Sequence, residues 1–288
     1  MVVVDNASTD GSVEMVRERF PRAQVLAMSR NEGFGVALNR AIAEVPGDPI
    51  LLLNNDVECE PRFIERMVEA LEPDVEMVAG VLVQHRAPGL IDSAGVVADR
   101  RTLMAFDYLH GKPVRVAEKA PPPLGPTGGA AMYRRRAFES VGGFDERMFL
   151  YYEDLDLALR MRSAGARCAL AREARASHLY SATLRGRVGE KYARTGWSRA
   201  YMLRRYGVMR NPINAIRTTA SEAAVCAGQL FLDRTTRGIA GRLSGWRDAA
   251  GLEGRRLPDV GLMAAPIGPS LRTRVGTRDR GSLGASPD

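Results

Sequence analysis

The 288-residue sequence has only three cysteines, Cys59, Cys168 and Cys226, widely spaced and odd in number. That excludes a paired disulfide framework and a cysteine-based zinc pattern, and it suits a reducing compartment. Histidine is equally sparse, at three residues. No run of about 18 uninterrupted apolar residues occurs, so no segment is expected to cross a membrane. The nearest candidate, 213–232, is broken by Arg217 and Glu222. No basic–apolar–small leader opens the chain, and no internal repeat or nucleic-acid motif is visible.

Hydrophobic residues make up 45% of the chain, enough for a sizeable core in one large domain with an appendage. The formal net charge is +7 and unevenly placed. Arg185, Arg187, Lys191, Arg194, Arg199, Arg204, Arg205 and Arg210 face only Glu190 within 185–210, so this segment carries the whole excess. Such a patch implies an anionic partner or a solvated helix face. Trp197 and Tyr201, one turn apart, could sit at a membrane interface or pack their helix on the domain.

Strand-like and helix-like patterns alternate through the first half. Strands are expected at 2–4, 24–28, 49–53 and 75–83. Helices are expected at 12–20, at 34–45 and from Pro61 to about 71. Repeated strand–helix units imply an α/β fold, Rossmann-like, with a mostly parallel sheet covered by helices on both faces. Segment 85–125 reads as an irregular functional excursion. A tight strand follows at 128–133, then helices at 135–140 and 153–163, a strand at 167–170, and a short extended piece before His178. Beyond 210 come two weakly amphipathic helices, and from 257 a Gly-, Pro-, Ser- and Arg-rich tail expected to be disordered. The domains expected are 1–206, a helical extension at 207–256, and the tail at 257–288.

Asn54-Asn55-Asp56 ends the apolar run Ile50–Leu53, placing oxygen ligands at the end of a buried strand. In open α/β sheets that edge binds ligands. A carboxylate there can hold Mg²⁺ or Mn²⁺, and the cation a diphosphate. Asp5-Asn6-Ala7-Ser8 follows the first strand, where it can bond a base or ribose, though Asx and Ser residues also make local turns. Asn31-Glu32-Gly33-Phe34-Gly35 opens a helix, whose N-terminus favours anions. Glu153-Asp154 starts a helix after Tyr151-Tyr152. First-turn acids complement the helix dipole, and the dipole favours an ionised carboxylate able to accept a hydroxyl proton. Asp156 reads as a helix-face charge. His178 is either structural or, as a neutral imidazole, a metal ligand beside Asp56.

The ordered set Val-Val-Val-Asp-Asn-Ala-Ser-Thr-Asp-Gly-Ser, Asn-Glu-Gly-Phe-Gly, Leu-Leu-Asn-Asn-Asp, Gly-Gly-Ala-Ala-Met, Gly-Gly-Phe-Asp-Glu and Tyr-Tyr-Glu-Asp-Leu-Asp-Leu resembles the family-2 inverting glycosyltransferases of GT-A fold, especially a bacterial rhamnosyltransferase-like branch. The resemblance covers about residues 2–206. It implies nucleotide contacts from Asp5, Asn6, Ser8, Asn31 and Gly33, and a metal held by Asp56 and His178. Asn55, Gly128, Gly129 and Tyr152 would border donor sugar and acceptor, with Asp154 as general base and Glu153 in support. The family's metal motif often begins with Asp, where this chain has Asn54.

The implied partners are a nucleotide-diphosphate sugar (dTDP-rhamnose or a UDP-hexose) and a saccharide or lipid-linked acceptor. The implied location is cytoplasmic, peripheral at the inner membrane face through 185–210. The family pattern also places a strand and helix before Asp5-Asn6-Ala7-Ser8, whereas Met1 here stands directly before that strand. A central strand missing from the sheet would leave backbone groups unpaired, so a sequence whose start is assigned too late is the first expectation, and a catalytically inactive or truncated nucleotide-sugar-binding relative of the same fold is the competing reading.

Overall fold

The computed structural model describes residues 1–179 and 188–263. Arg185, Arg187 and the expected tail from 264 lie outside the described residues. Two compact units divide the chain. The first comprises Met1–Ala98, Ala105–Arg187 and Arg255–Leu262, and the second Asp99–Met104, Val188–Gly254 and Met263–Asp288.

In the first unit β1 (Val2–Asp5) and β2 (Gln24–Ala27) pair in parallel around α1 (Ser12–Arg19). Helix α2 (Phe34–Glu44) buries Val36, Ala37, Ala41 and Ile42, the face its periodicity defines. Next come β3 (Ile50–Leu53), β4 (Val57–Cys59), α3 (Phe63–Glu69) and the long β5 (Met77–Gln84). Along β5, Met77, Ala79, Val81 and Val83 enter one apolar cluster while Val78 and Leu82 enter another. That period-two alternation between two buried faces makes β5 the spine of the unit.

Segment 85–125, read from sequence as irregular, contains β6 (Ala87–Ser93), β7 (Val96–Ala98), β8 (Ala105–Asp107) and a 3-10 turn at Val114–Lys119. Its strands are short and carry Pro, Gly and Asp, so they lack an alternating apolar signature. β9 (Ala130–Tyr133), α4 (Arg135–Ser140), α5 (Glu153–Ser163) and β10 (Cys168–His178) complete the unit. β10 is one strand with an irregularity between Leu170 and Arg175, and His178 is its last residue rather than a residue beyond a separate piece.

The six-stranded sheet runs β3-β9-β5-β10-β4, with β6 also on β5. Only β5–β10 is parallel in it; β3–β9, β5–β9, β5–β6 and β10–β4 are antiparallel. The sheet is therefore mixed rather than mostly parallel. Counting strand–helix units assumes a crossover helix before each strand, whereas β9 returns from the excursion, and a long connection permits either direction. Among the described residues no strand joins β1–β2 to this sheet.

One edge of β5 carries β10 throughout. The other edge is shared: β9 takes Met77–Ala79 and β6 takes Leu82–Gln84. The start of β9 and the end of β6 therefore meet beside the middle of β5, and this is where the candidate site lies.

The second unit is helical: α6 (Val188–Arg205), α7 (Pro212–Asp233) and α8 (Arg237–Asp248). Asn211 caps α7 by accepting from Ile213 N and Asn214 N, with Pro212 at the first turn. α6 and α8 approach closely because Gly241 and Gly245 lie against the backbone of Ala193 and Trp197. Trp197 donates to Asp248 (2.7 Å) and stacks on Tyr201, which is fully buried. The pair packs the helix. Arg199 is buried too, Arg204 lies over Trp246, and Arg205 lies over Tyr201. Much of the basic segment thus makes internal contacts. No helix among the described residues is long and apolar enough to cross a membrane.

Candidate active site

The turn after β1 is built by its own polar side chains. Asp5 is buried and accepts from Ser8 N (2.9 Å), while Ser8 is exposed. Asn6 reaches across to the next loop, donating to Gly33 O (2.9 Å) and accepting from Glu32 N (3.0 Å). Asn31 accepts from Gly33 N (3.1 Å). Gly33 has φ +95°, and a Cβ there would meet Phe149 O at 2.5 Å, so only glycine fits. Phe34 N donates to Phe149 O (2.9 Å), tying this loop to the segment leading into α5.

That segment enters α5 through Tyr151 and Tyr152, both left-handed at φ 71° and 70°. Two consecutive non-glycine residues there store strain on the order of 1–3 kcal/mol each, a pattern that clusters at functional sites. Tyr152 is buried, and Glu153 and Asp154 begin the helix. Asp154 accepts from Leu155 N (2.7 Å), from Gly128 N (3.3 Å) and, at the limit, from Thr127 Oγ1 (3.5 Å). Burial lifts Asp154 above the usual carboxylate range despite these donors. Desolvation therefore outweighs the helix-terminus effect expected from sequence. Burial pushes Glu153 up to about 8, with the Asp154 charge adding, and Glu153 Oε2 is buried without a hydrogen bond.

The residue after Gly128 connects the other acidic centre. Gly129 O accepts from Asn54 N (3.2 Å), and a Cβ on Gly129 would crowd Leu82 Cδ1 at 3.0 Å. Asn55 is exposed at the tip of the turn. Asp56 follows, its backbone O accepting from Leu179 N (2.9 Å), and β4 pairs with the end of β10 so that Val57 faces His178. His178 Nε2 stands 3.3 Å from Asp56 Oδ1, and that oxygen is buried without a hydrogen bond. His178 Nδ1 lies 2.6 Å from Asp92 Oδ2. The Asp92 bond, more than the charges of Asp92 and Asp56, raises the His178 pKa above its ordinary value.

A buried Asp56 oxygen whose neighbour is an imidazole nitrogen at 3.3 Å supplies an oxygen and a nitrogen ligand that fit a divalent cation. Among the described residues no group of three or more His, Cys, Asp or Glu side chains forms a closed cage. Two protein ligands with a phosphate-bearing substrate suit Mg²⁺ or Mn²⁺.

The structure thus brings Asp56 with His178, and Gly128 and Gly129 with Asp154 and Asn54. No described contact joins Asp5 or Ser8 to either acidic centre. Three features escaped the sequence reading. Asp92 ends the apolar pair Leu90-Ile91 as Asp56 ends Ile50–Leu53, so the same signal was present. Asp107 stands exposed at the end of β8, where desolvation of its carboxyl group and the Asp154 and Asp92 charges all act to raise its pKa. Asp156 is fully buried rather than a surface charge. It pairs with Arg160 (2.7 Å) and Arg255, while Arg255 also holds Asp145 (2.7 Å).

Residues 1–142 match the model of the family described as glycosyl transferase family 2. An N-acetylglucosaminyl-diphospho-decaprenol L-rhamnosyltransferase of Mycobacterium tuberculosis is 30% identical over 57% of this chain and 61% of its own length. The O-antigen biosynthesis protein RfbC of Myxococcus xanthus is 28% identical over 64% of this chain and 15% of its own. The chain spans about three fifths of the first relative and a smaller part of the second. Among solved structures, GalNAc-T7 with UDP, GalNAc and Mn²⁺ superposes at a TM-score of 0.56 with 12% identity, covering 88% of this chain and 48% of that one. This likeness establishes the fold.

Proposed function

From the match of residues 1–142 to the glycosyl transferase family 2 model, we propose that the chain transfers a sugar from a nucleotide-diphosphate sugar to a hydroxyl of a saccharide or lipid-linked saccharide. The observation that carries this reading is the pair Gly128-Gly129. One residue donates to Asp154 and the next accepts from Asn54, so one backbone step couples the candidate base to the candidate diphosphate end.

Asp5, Asn6, Ser8, Asn31 and Gly33 form the nucleotide end. Asp5 meets the base, while Asn6 and Asn31 hold the loop that shapes its pocket. Asp56 and His178 would hold the divalent cation, which when bound neutralises charge on the leaving diphosphate. Asn55, Gly128, Gly129 and Tyr152 border donor sugar and acceptor.

Asp154 takes the proton from the acceptor hydroxyl. Burial raises its pKa, which strengthens the ionised carboxylate as a proton acceptor. The hydroxyl oxygen attacks the anomeric carbon opposite the nucleotide, the bond to the diphosphate breaks, and the configuration inverts. Glu153, whose pKa burial pushes up to about 8, supports the acceptor as a hydrogen-bond donor in its protonated form. The rhamnosyltransferase relative makes dTDP-rhamnose the first donor to test, with UDP-hexoses next. Lys191, Arg210 and Arg194, the last paired with Glu190 (3.8 Å), are the described residues assigned to contact with an anionic membrane surface. Unchanged vesicle sedimentation after their replacement by Ala removes that role.

The test is thermal unfolding of the full chain with UDP, dTDP and GDP, each with and without Mn²⁺. Ligand at a hundredfold over Kd adds about 2.7 kcal/mol. A metal-dependent rise in Tm with one nucleotide supports the reading and narrows the donor. No rise with any of them favours a non-catalytic relative. Turnover with dTDP-rhamnose, followed by NMR of the product anomer, then tests inversion.

A further inference from the structure

We propose that Asp92 is a positioning residue for His178: by accepting its Nδ1–H it turns Nε2 toward Asp56. The inference rests on the metal reading of Asp56 and His178 given above. The two partners come from opposite sides of one strand. β6 and β10 flank β5, with Ser93 in register with Leu82 and His178 in register with Gln84. The Asp92–His178 bond, at 2.6 Å, therefore spans β5 at its end. Both side chains are largely buried, at 9% and 14% exposure, so water competes little for the bond.

The imidazole ends β10, where a strand terminus alone would leave its ring free to turn. A neutral imidazole carries one proton. If Nδ1 holds it for Asp92, the lone pair must sit on Nε2. That atom is the one 3.3 Å from the unpartnered Asp56 oxygen. A carboxylate behind a ligating histidine fixes its tautomer and orientation and raises its basicity.

Asp92 is itself held firmly. Its neighbours form backbone bonds with the returning chain: Ile91 N to Lys112 O (2.8 Å), Gly111 N to Ile91 O (2.8 Å) and Ala94 N to Tyr108 O (2.9 Å). His110 Nδ1 lies 2.6 Å from the Asp92 backbone O. The excursion at 85–125 thereby gains a task, which is to deliver a buried carboxylate behind the metal-facing ring.

The experiment compares wild type, Asp92→Asn, Asp92→Ala and Asp56→Ala as full chains. Mn²⁺ affinity in the presence of UDP is read by electron paramagnetic resonance of free Mn²⁺. The His178 tautomer is read by ¹⁵N NMR of the metal-free protein, above the titration of the ring. The expected result is Nδ1–H in wild type, a shift toward Nε2–H in Asp92→Ala, and a Mn²⁺ affinity about ten- to a hundredfold weaker. Asp92→Asn, whose amide oxygen still accepts, should fall between, and it serves alone if Asp92→Ala does not fold. Wild-type tautomer and affinity in both Asp92 variants would overturn the proposal while leaving the metal reading intact. Undiminished Mn²⁺ binding in Asp56→Ala would instead overturn the metal reading, and the NMR result would then decide whether Asp92 orients the ring. An Nε2–H tautomer in wild type sinks the proposal whatever the metal does.

Discussion

Glu153 in the first unit and Glu222 in the second are both buried glutamates, in opposite surroundings. Glu222 lies between two guanidinium groups, with Arg199 Nε and Arg242 Nε each at 2.7 Å. Burial alone would raise its pKa, but the two cations hold it at about 2. Arg199 completes the network by donating to Leu103 O (2.7 Å) and Thr102 O. Glu153 has no cation beside it, only Asp154, and one of its oxygens is unpaired. Glu222 is satisfied and fixed. Glu153 is held buried at a free-energy cost. Unpaired buried carboxylates with raised pKa values mark places where protons move. This contrast sets the unit proposed to do the chemistry apart from the helical one.

The largest expected effect lies on the reactive side. Asp154→Asn keeps size and most hydrogen bonds but cannot take a proton. Turnover should fall about 10²–10⁴-fold, with nucleotide binding by calorimetry unchanged. Full activity in this variant would remove Asp154 as the base and blur the contrast at its root. The counterpart is Glu222→Ala. It strands Arg199, which is 1% exposed, and Arg242 without their anion. Breaking a buried pair costs about 3–5 kcal/mol, so urea unfolding should show a large loss, while turnover per folded molecule stays near wild type. A loss below about 1 kcal/mol would mean that the triad is well solvated.

Much of the first contrast was legible in the sequence. Asp56, Glu153 and Asp154 each mark the boundary of an element, where an apolar pattern stops at an acid, and β3 and α5 lie where that pattern put them. The turns at Asp5–Ser8 and Asn31–Gly33 were legible too, because each is closed by a side chain two or three residues away, whereas the bonds by which Asn6 joins them span 26 and 27 residues. Partners distant in sequence were not legible. Asp156 looked like a helix-face charge because Arg255 lies 99 residues away. Asp92 sits 86 residues before His178 in a segment without a clean period. Strand direction failed for the same reason, since β9 and β6 take opposite halves of one edge of β5, and register is a long-range property. The basic run at 185–210 misled in the reverse sense. Charge counting cannot tell a solvated arginine from one like Arg199, which the fold has buried.

The smallest effect expected, and the sharpest test of the contrast, is the sign of the pH dependence. Glu222 has its folded pKa lowered to about 2 from 4.5, so its contribution is complete above about 4.5 and fades as pH falls toward 2. Glu153 has its folded pKa raised to about 8 from 4.5. Between those values the unfolded chain has released a proton that the folded chain still holds, so stability falls as pH rises, by at most about 1.4 kcal/mol per pH unit. Asp154, also raised, acts in the same direction. Glu153→Gln is uncharged in both states and removes one share of that slope. Denaturant midpoints of wild type and Glu153→Gln should coincide near pH 4 and diverge toward pH 8, with the variant more stable. Glu222→Gln should show the mirror image, its deficit against wild type shrinking only as pH falls below about 4.5. Parallel curves for wild type and Glu153→Gln would mean that Glu153 is ionised in the folded protein. A neutral acid beside Asp154 would then have to be given up, and with it the hydrogen-bond donor assigned to the acceptor.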